Sequence, residues 1–413
     1  MTAKAKTAFF LILMLTAAAG PFSMQVFLPA LPAIQKWFSV DQATAQLTLS
    51  LSMVSIAFTT LIYGPLSDRF GRKPVLVGGM LLFLGGSLLS TFAPSIGLLI
   101  VGRVVQAAGS ASGMVLGRAM VRDAYGAVEA PKVINYLTMA MVTAPMVAPV
   151  IGGFLTDGFG WRSNFAVTAG FAVITTILVI SMLRETLPAS QRASGTADVS
   201  GARLAANGLR TVAGSRRFWG SALVSSLQMA VFFAFISGAP YLMSETLHRP
   251  PSEYGIWFLG VPGLFVTGSF VATRILPVLG LDRSIVWGSI LCALVLPVAA
   301  GLYYYLPLTP LLLFGPTYFI AFFQGLVIAN GMAGALNASP SAIGAASGLA
   351  GFVQMMVSAA AAQVSGIFVQ ESIWPLMIIM AVCTVVCLLL LPMIGRRGMP
   401  ATAGGDNATG LPG

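Results

Sequence analysis

The densest group of chemistry-bearing residues is a turn reading Gly64-Pro65-Leu66-Ser67-Asp68-Arg69-Phe70-Gly71-Arg72-Lys73-Pro74. It sets one carboxylate among three cations. Asp68 is placed to meet a helix N-terminus or an arginine, and Gly64 and Gly71 permit turn geometry and close helix approach. A second group, Arg103-Val104-Val105-Gln106, puts a guanidinium and an amide one helical turn apart within an apolar run. Arg118 lies further along that run. A third, Ala144-Pro145-Met146-Val147-Ala148-Pro149-Val150-Ile151-Gly152-Gly153, frees backbone groups and lets helices approach closely. None of these is a nucleophile–base pair or a metal-ligand set. The single histidine, His248, reads as solvated, and the three cysteines (Cys292, Cys383 and Cys387) fall in apolar runs and predict no disulfide. No Gly-x-x-x-x-Gly-Lys-Ser/Thr loop is present, so nothing here points to ATP as an energy source. No enzyme activity, cofactor or metal is expected.

The elements that hold these residues follow from composition. The 413 residues are 57% hydrophobic and 8% charged, against about 25% charged in soluble domains. Mean hydropathy is +0.89. Such a chain cannot cover a water-soluble surface. The apolar runs are near spanning length for a helix, about 20 residues, rather than the alternating segments of about 10 that a membrane β-barrel uses. We expect an all-α membrane protein with twelve transmembrane helices, over 8–30, 43–66, 75–92, 96–120, 133–155, 164–183, 218–242, 254–276, 285–304, 311–336, 343–368 and 373–394. The lipid bilayer is therefore a partner.

The net charge of +10 predicts no nucleic-acid partner here, because the cations are sorted by side. With twelve spans, seventeen of the 22 lysines and arginines fall on the side shared by the termini. Three (Lys36, Arg162 and Arg249) fall on the other, and Arg103 and Arg118 lie within a span. The positive-inside rule then puts both termini in the cytoplasm. A polar stretch divides the chain into a six-helix bundle over 1–183, a linker over 184–217 and a second bundle over 218–397. The Gly-, Ala- and Thr-rich tail, 398–413, is expected to be disordered. Gly280-Leu281-Asp282-Arg283 repeats a fragment of the 64–74 turn at the equivalent position of the second half. Two such halves predict a site between them, exposed alternately to each side.

The 64–74 turn resembles the signature loop of the major facilitator superfamily, and the resemblance covers essentially the whole chain. It implies the superfamily fold of two pseudo-symmetric six-helix bundles. It also implies that Gly64, Asp68, Arg69, Gly71, Arg72 and Lys73 act as a conformational latch, with Asp68, Arg69 and Arg72 bridging spans of the two halves in the outward-facing state. Arg103 with its glycine six residues on is similar to an element linked to proton transfer, and Pro145, Pro149, Gly152 and Gly153 resemble the antiporter motif. Phe27-Leu28-Pro29-Ala30-Leu31-Pro32, Arg118-Ala119-Met120-Val121-Arg122-Asp123, Gly160-Trp161-Arg162 and Arg184-Glu185-Thr186-Leu187 look like the bicyclomycin-resistance (Bcr/CflA) group of drug:proton antiporters. That resemblance implies a monomeric exporter of small hydrophobic or amphipathic molecules in the bacterial inner membrane, exchanging them for protons.

One departure bears on coupling. That group commonly has an aspartate where this chain has Gln25, which cannot titrate, and no acid lies deep in any span. If protons are coupled, Asp123 or Glu245 at helix ends is the expected carrier. From the spans that line the superfamily's cavity we expect Gln25, Gln228, Phe232, Phe235, Gln324 and Asn330 at the site, with Asn135, Tyr136 and Gln354 from spans five and eleven. The plainer alternative for each amide is a hydrogen bond between helices, about 0.6 kcal/mol. Rival functions are a metabolite facilitator for a sugar or amino acid, and a non-transporting membrane sensor or scaffold.

Overall fold

The computed structural model describes residues 3–188, 190, 192, 208–369 and 372–394. Most of the linker and the whole 398–413 tail lie outside the described residues. Among the described residues, twelve helices are long and apolar enough to cross a membrane. They are Thr7–Phe38, Gln42–Phe70, Arg72–Thr91, Ile96–Gly126, Lys132–Phe159, Arg162–Met182, Arg216–Thr246, Pro251–Leu279, Leu281–Tyr305, Pro310–Asn337, Ile343–Phe368 and Trp374–Met393, here spans one to twelve. Among the described residues there is no β-strand, and the three cysteines are free.

Side chains start several spans. Asp41 accepts from the Thr44 amide at 2.8 Å before span two, and the Thr44 bonds hold its carboxyl below the usual aspartate value. Ser95, Ser215 and Thr309 cap spans four, seven and ten in the same way. Prolines shape two spans near their far ends. In span one the α-helix ends at Gln25, a 3₁₀ turn covers Leu28–Ala30, and Leu31–Phe38 resumes with Pro32 in its first turn. Pro240 precedes a π-helical turn, Leu242–Thr246, which carries Glu245.

Spans four and five, expected to be separated by a loop, form one helical run, Ile96–Phe159, bent at Gly126. Gly126 has φ 68°, a value that a Cβ disfavours. The charged residues of that stretch, from Arg122 to Lys132, decorate the ends of two helices that meet at one glycine.

Contacts within spans one to six, and within spans seven to twelve, make two bundles. Small residues bring helices together: a Cβ on Gly86 of span three would lie 2.6 Å from the Gly102 carbonyl of span four, and one on Gly325 would lie 2.6 Å from the Phe265 carbonyl. Between bundles, span two packs on span eleven and span five on span eight. Exchanging each span for its counterpart six places along maps one pair onto the other. This is the pseudo-two-fold relation that the duplicated halves predict.

Candidate functional site

At mid-height between the bundles lies a cavity of about 250 Å³. Gln25, Phe232 and Gln324, expected from sequence, line it, as does Pro145. Its most distinctive wall was not foreseen: Met24, Met114, Met141, Met229 and Met355 come from spans one, four, five, seven and eleven. Phe233 and Phe265 add aromatic surface. Thioethers on flexible stems adapt to different shapes. The polar groups in the wall are the two amides. Gln324 Nε2 donates to the Gln228 carbonyl at 2.8 Å, and Gln25 Oε1 is buried with no protein partner. The lining contains no carboxylate and no lysine or arginine.

The other expected cavity residues lie elsewhere. Gln228 donates to Cys387 Sγ at 3.6 Å. Asn330 donates to Ser284 Oγ at 3.0 Å and to the Leu326 carbonyl at 2.8 Å. Gln354 donates to Ser225 Oγ at 3.4 Å. Phe235 packs on Phe314 at 5.4 Å, Tyr136 stands edge-on to Phe10, and Asn135 is exposed. Helix phase is the reason. At about 100° per residue, Phe235 and Gln228 sit roughly a quarter-turn or more from the face that Met229, Phe232 and Phe233 present. Asn330 is nearly opposite Gln324 and Ile328. For Gln228, Asn330 and Gln354 the interhelical hydrogen bond is what is found.

Arg103 is buried behind the cavity, not in it, at 1% exposure. Its Nη1 donates to the Ser23 carbonyl at 3.1 Å and to Gln106 Oε1. Its Nε reaches the Thr48 carbonyl at 3.5 Å, and the guanidinium lies 4.0 Å from the Phe27 ring centre. Gln106 passes the network on to Ser87 and Thr168, so one arginine ties together spans one, two, three, four and six. No carboxylate pairs with it among the described residues. Arg103→Met is expected to destabilise the purified protein by about 1–3 kcal/mol for each carbonyl left unsatisfied. Arg103→Lys should not rescue it, because lysine lacks the planar fork; thermal unfolding in detergent measures both. Arg118, one turn beyond Met114, reaches Met141 Sδ at 4.0 Å beside the cavity.

At the end bearing the N-terminus, Arg72 pairs with Asp68 at 2.6 Å and with Asp123 at 3.0 Å, and Arg72 donates to Ser67 Oγ at 2.6 Å. All these partners belong to the first bundle, and the bridge between the halves, expected of the outward-facing state, is not among them. Arg69 stacks on Phe70, and Lys73 Nζ donates to the Ile180 carbonyl. Asp68 does not cap span three. Glu185 does, accepting from the Arg72 and Lys73 amides at 3.0 and 3.2 Å and from the Thr186 and Leu187 amides. Gly71 has φ 101°, and a Cβ there would lie 2.5 Å from Glu185 Oε2. Gly64 sits inside a helix with open space beside it and makes no close approach. Asp123 is therefore held in the ion-pair network of this end, away from the cavity.

At the opposite end the halves close on each other. Lys36 pairs with Glu245 at 2.9 Å. The Ser252 amide donates to Asp157 at 3.0 Å. Gln363 donates to the Ala43 carbonyl at 2.9 Å and accepts from Ser50 at 2.6 Å. Between spans five and eight, a Cβ on Gly153 would lie 2.5 Å from the Pro251 carbonyl, and one on Gly255 would lie 2.5 Å from the Pro149 carbonyl. Gly152 instead faces the Val26 backbone of span one. Among the described residues no group of three His, Cys, Asp or Glu could hold a metal ion.

With this geometry in place, comparisons with known proteins are informative. The model of the Major Facilitator Superfamily matches residues 13–362. A bicyclomycin resistance protein homolog of Haemophilus influenzae is 26% identical over 395 residues, which is 95% of this chain and 97% of that protein. Multidrug resistance protein D of Escherichia coli is 26% identical over 400 residues, 94% and 97% of the two chains. The partially occluded inward-open conformation of the xylose transporter XylE from E. coli is similar with a TM-score of 0.69, over 95% of this chain and 98% of that one. At 13% identity that likeness shows the fold alone.

Proposed function

The chain belongs to the Major Facilitator Superfamily of membrane transporters, and from that premise we propose that it exports small, uncharged hydrophobic or amphipathic compounds, antibiotics among them. Residues 1–183 and 218–397 are the two moving bundles, one chain is the working unit, and the cavity is exposed alternately to each side. The observation that carries the substrate class is the cavity wall: five methionines, three phenylalanines and two amides, with no charged group. Such a wall favours apolar bodies carrying one or two hydrogen-bonding groups. It offers no counter-ion to a permanent cation, whose desolvation would then go uncompensated. The names of the two bacterial relatives, both resistance proteins over nearly the full length, support export of antibiotics.

Both termini are placed in the cytoplasm, on the support of the seventeen-to-three division of basic residues. With the far end closed by the contacts above, this is a cytoplasm-facing state. Protons are the coupling ion on this reading. Glu245 is the first candidate carrier, because its ion pair with Lys36 joins the two halves, so that protonation removes a bond holding the outer end shut. Asp123, paired to Arg72, is the second. The latch role of the 64–73 turn is assigned to the opposite, outward-facing state, in which Asp68, Arg69 and Arg72 would bridge the two halves.

Everted vesicles test the reading. A labelled neutral amphiphile is expected to accumulate when a proton gradient is imposed, and a quaternary ammonium dye is not; uptake of the dye alone rejects the substrate class. Gln25→Glu is expected to admit the dye, since it adds the missing counter-charge to the wall. Substrate-induced pH change is expected to fall in Glu245→Gln, and full coupling in both Glu245→Gln and Asp123→Asn rejects these carriers.

A further inference from the structure

A second hollow, of about 590 Å³, lies at the closed end, outside the central cavity. Its walls come from the end of span one, the end of span five and the start of span six: Lys36, Trp37, Phe159, Trp161 and Arg162, with Ala33, Thr156 and Gly160. The only charged side chains in it are the two cations. Arg162 is held in place from three directions. Its Nη2 donates to the Ala93 carbonyl at 3.1 Å, and its guanidinium lies 4.7 Å from the Trp37 ring and 4.3 Å from the Trp161 ring. No carboxylate pairs with it among the described residues. Trp161 is 4% exposed and its indole nitrogen has no hydrogen-bond partner.

The surroundings of the hollow are those of a bilayer interface. Trp37 is 61% exposed and Phe159 is 81% exposed, as expected of aromatic residues at the ends of spans. Below Arg162, the exposed Ala166, Gly170 and Val173 follow its own face of span six at helical spacing. A cationic, aromatic-walled hollow opening onto an apolar stripe matches one molecule with an anionic head and hydrocarbon tails. A soluble anion would use the cations and leave the stripe and the exposed rings in contact with lipid of any kind.

We propose that this hollow binds the headgroup of an anionic phospholipid, with the phosphate on Arg162 and Lys36 and the acyl chains along span six. The site also touches the gate. Lys36 is already shared with Glu245 of the second bundle at 2.9 Å, so the phosphate and the Glu245 carboxylate compete for one ammonium. Lipid in the hollow loosens the cross-bundle pair, and a closed gate loosens the lipid.

Native mass spectrometry of the purified full chain, titrated with phosphatidylglycerol or phosphatidylcholine, tests this. The wild type is expected to retain phosphatidylglycerol in preference. Each cation near a membrane surface contributes a factor of about five to anionic-lipid binding, so Arg162→Gln and Lys36→Gln should each lower retention about fivefold. Glu245→Gln should raise it, because Lys36 is released to the lipid. Lys36 is exposed, so its variant has no packing to lose. Arg274→Gln, an exposed arginine over Phe270 in span eight, is the control and should leave retention unchanged. Equal retention of the two lipids, an equal fall in Arg274→Gln, or no response to any of the three site variants overturns the proposal. Displacement of the lipid by glycerol 3-phosphate at equal concentration assigns the hollow to a soluble anion and overturns it as well.

Discussion

Gly153→Ala is expected to hold open the end of the protein that carries the Lys36–Glu245 pair and to stop turnover. The added carbon would lie 2.5 Å from the Pro251 carbonyl oxygen and 2.7 Å from the Ser252 Cα. Both are backbone atoms at the start of span eight, so no side chain can swing away. The same amide that must shift, that of Ser252, donates to Asp157 four residues beyond Gly153. Overpacking a well-fitted contact costs about 1–3 kcal/mol. Here the cost falls on the closed arrangement alone, so the closed population drops roughly five- to 150-fold relative to the open one. Gly255→Ala, whose Cβ would meet the Pro149 carbonyl at 2.5 Å, should act alike, because the two glycines face each other's helices. Gly158 of the same span has nothing within 4 Å, and Gly158→Ala should transport normally. Spin labels at Gly97→Cys and Tyr305→Cys, in a background lacking the native cysteines, report the separation of the bundles at this end. A longer distance in Gly153→Ala and Gly255→Ala, and an unchanged one in Gly158→Ala, is the expected pattern. Unchanged distances in all three would show that these glycines pack the helices without deciding which end is shut.

The contrast between Gly153 and the cavity residues shows what could be read from sequence. The spans were legible because a bilayer demands about 20 apolar residues in a row, a signal carried by composition alone. The bend at Gly126 was not, since the acids and bases around it, from Arg122 to Lys132, look like a loop whether the helix stops or only turns. In the cavity, residue type was a fair guide and helix face was not. Gln25 and Gln324 point inward while Gln228 and Gln354 bond to neighbouring helices, and nothing in the type of a glutamine distinguishes the two. The methionines were overlooked for a related reason: in a chain with 20 methionines, five that line one space are indistinguishable from lipid-facing filler until the helices are docked. The cross-bundle contacts had no local signal of any kind. Lys36 and Glu245, or Gly153 and Pro251, become neighbours only through the docking of two bundles.

Glu185 shows the same limit where the linker leaves the first bundle, and it supports the second large effect. Its carboxylate sits 113 residues from the Arg72 amide it accepts from, so spacing could not show it as the cap; of the two partners open to Asp68, a helix N-terminus or an arginine, Arg72 is the one found. Span three begins directly after the turn at Gly71, and the first amides of a helix need acceptors. Glu185 supplies them to Arg72 and Lys73, adds negative charge at the positive end of the helix, and ties down its own segment through the Thr186 and Leu187 amides. Arg192 approaches it at 3.7 Å. Thr186 in turn donates to Asp123 at 3.3 Å, so the cap and the Arg72–Asp123 pair form one assembly. Glu185→Ala is expected to destabilise the first bundle by about 2 kcal/mol, the loss of a cap and of charge-assisted hydrogen bonds, and to reduce transport further by freeing Arg72. Glu185→Gln keeps one acceptor oxygen and should fall between. Gly71→Ala should resemble Glu185→Ala, because its Cβ would occupy the space of the carboxylate in a backbone conformation that already disfavours it. Thermal unfolding in detergent, read beside transport in proteoliposomes, separates the two contributions. A variant with native stability and lost transport assigns Glu185 to the conformational cycle. Native stability with native transport in Glu185→Ala would show that water satisfies the start of span three and that the cap has no role.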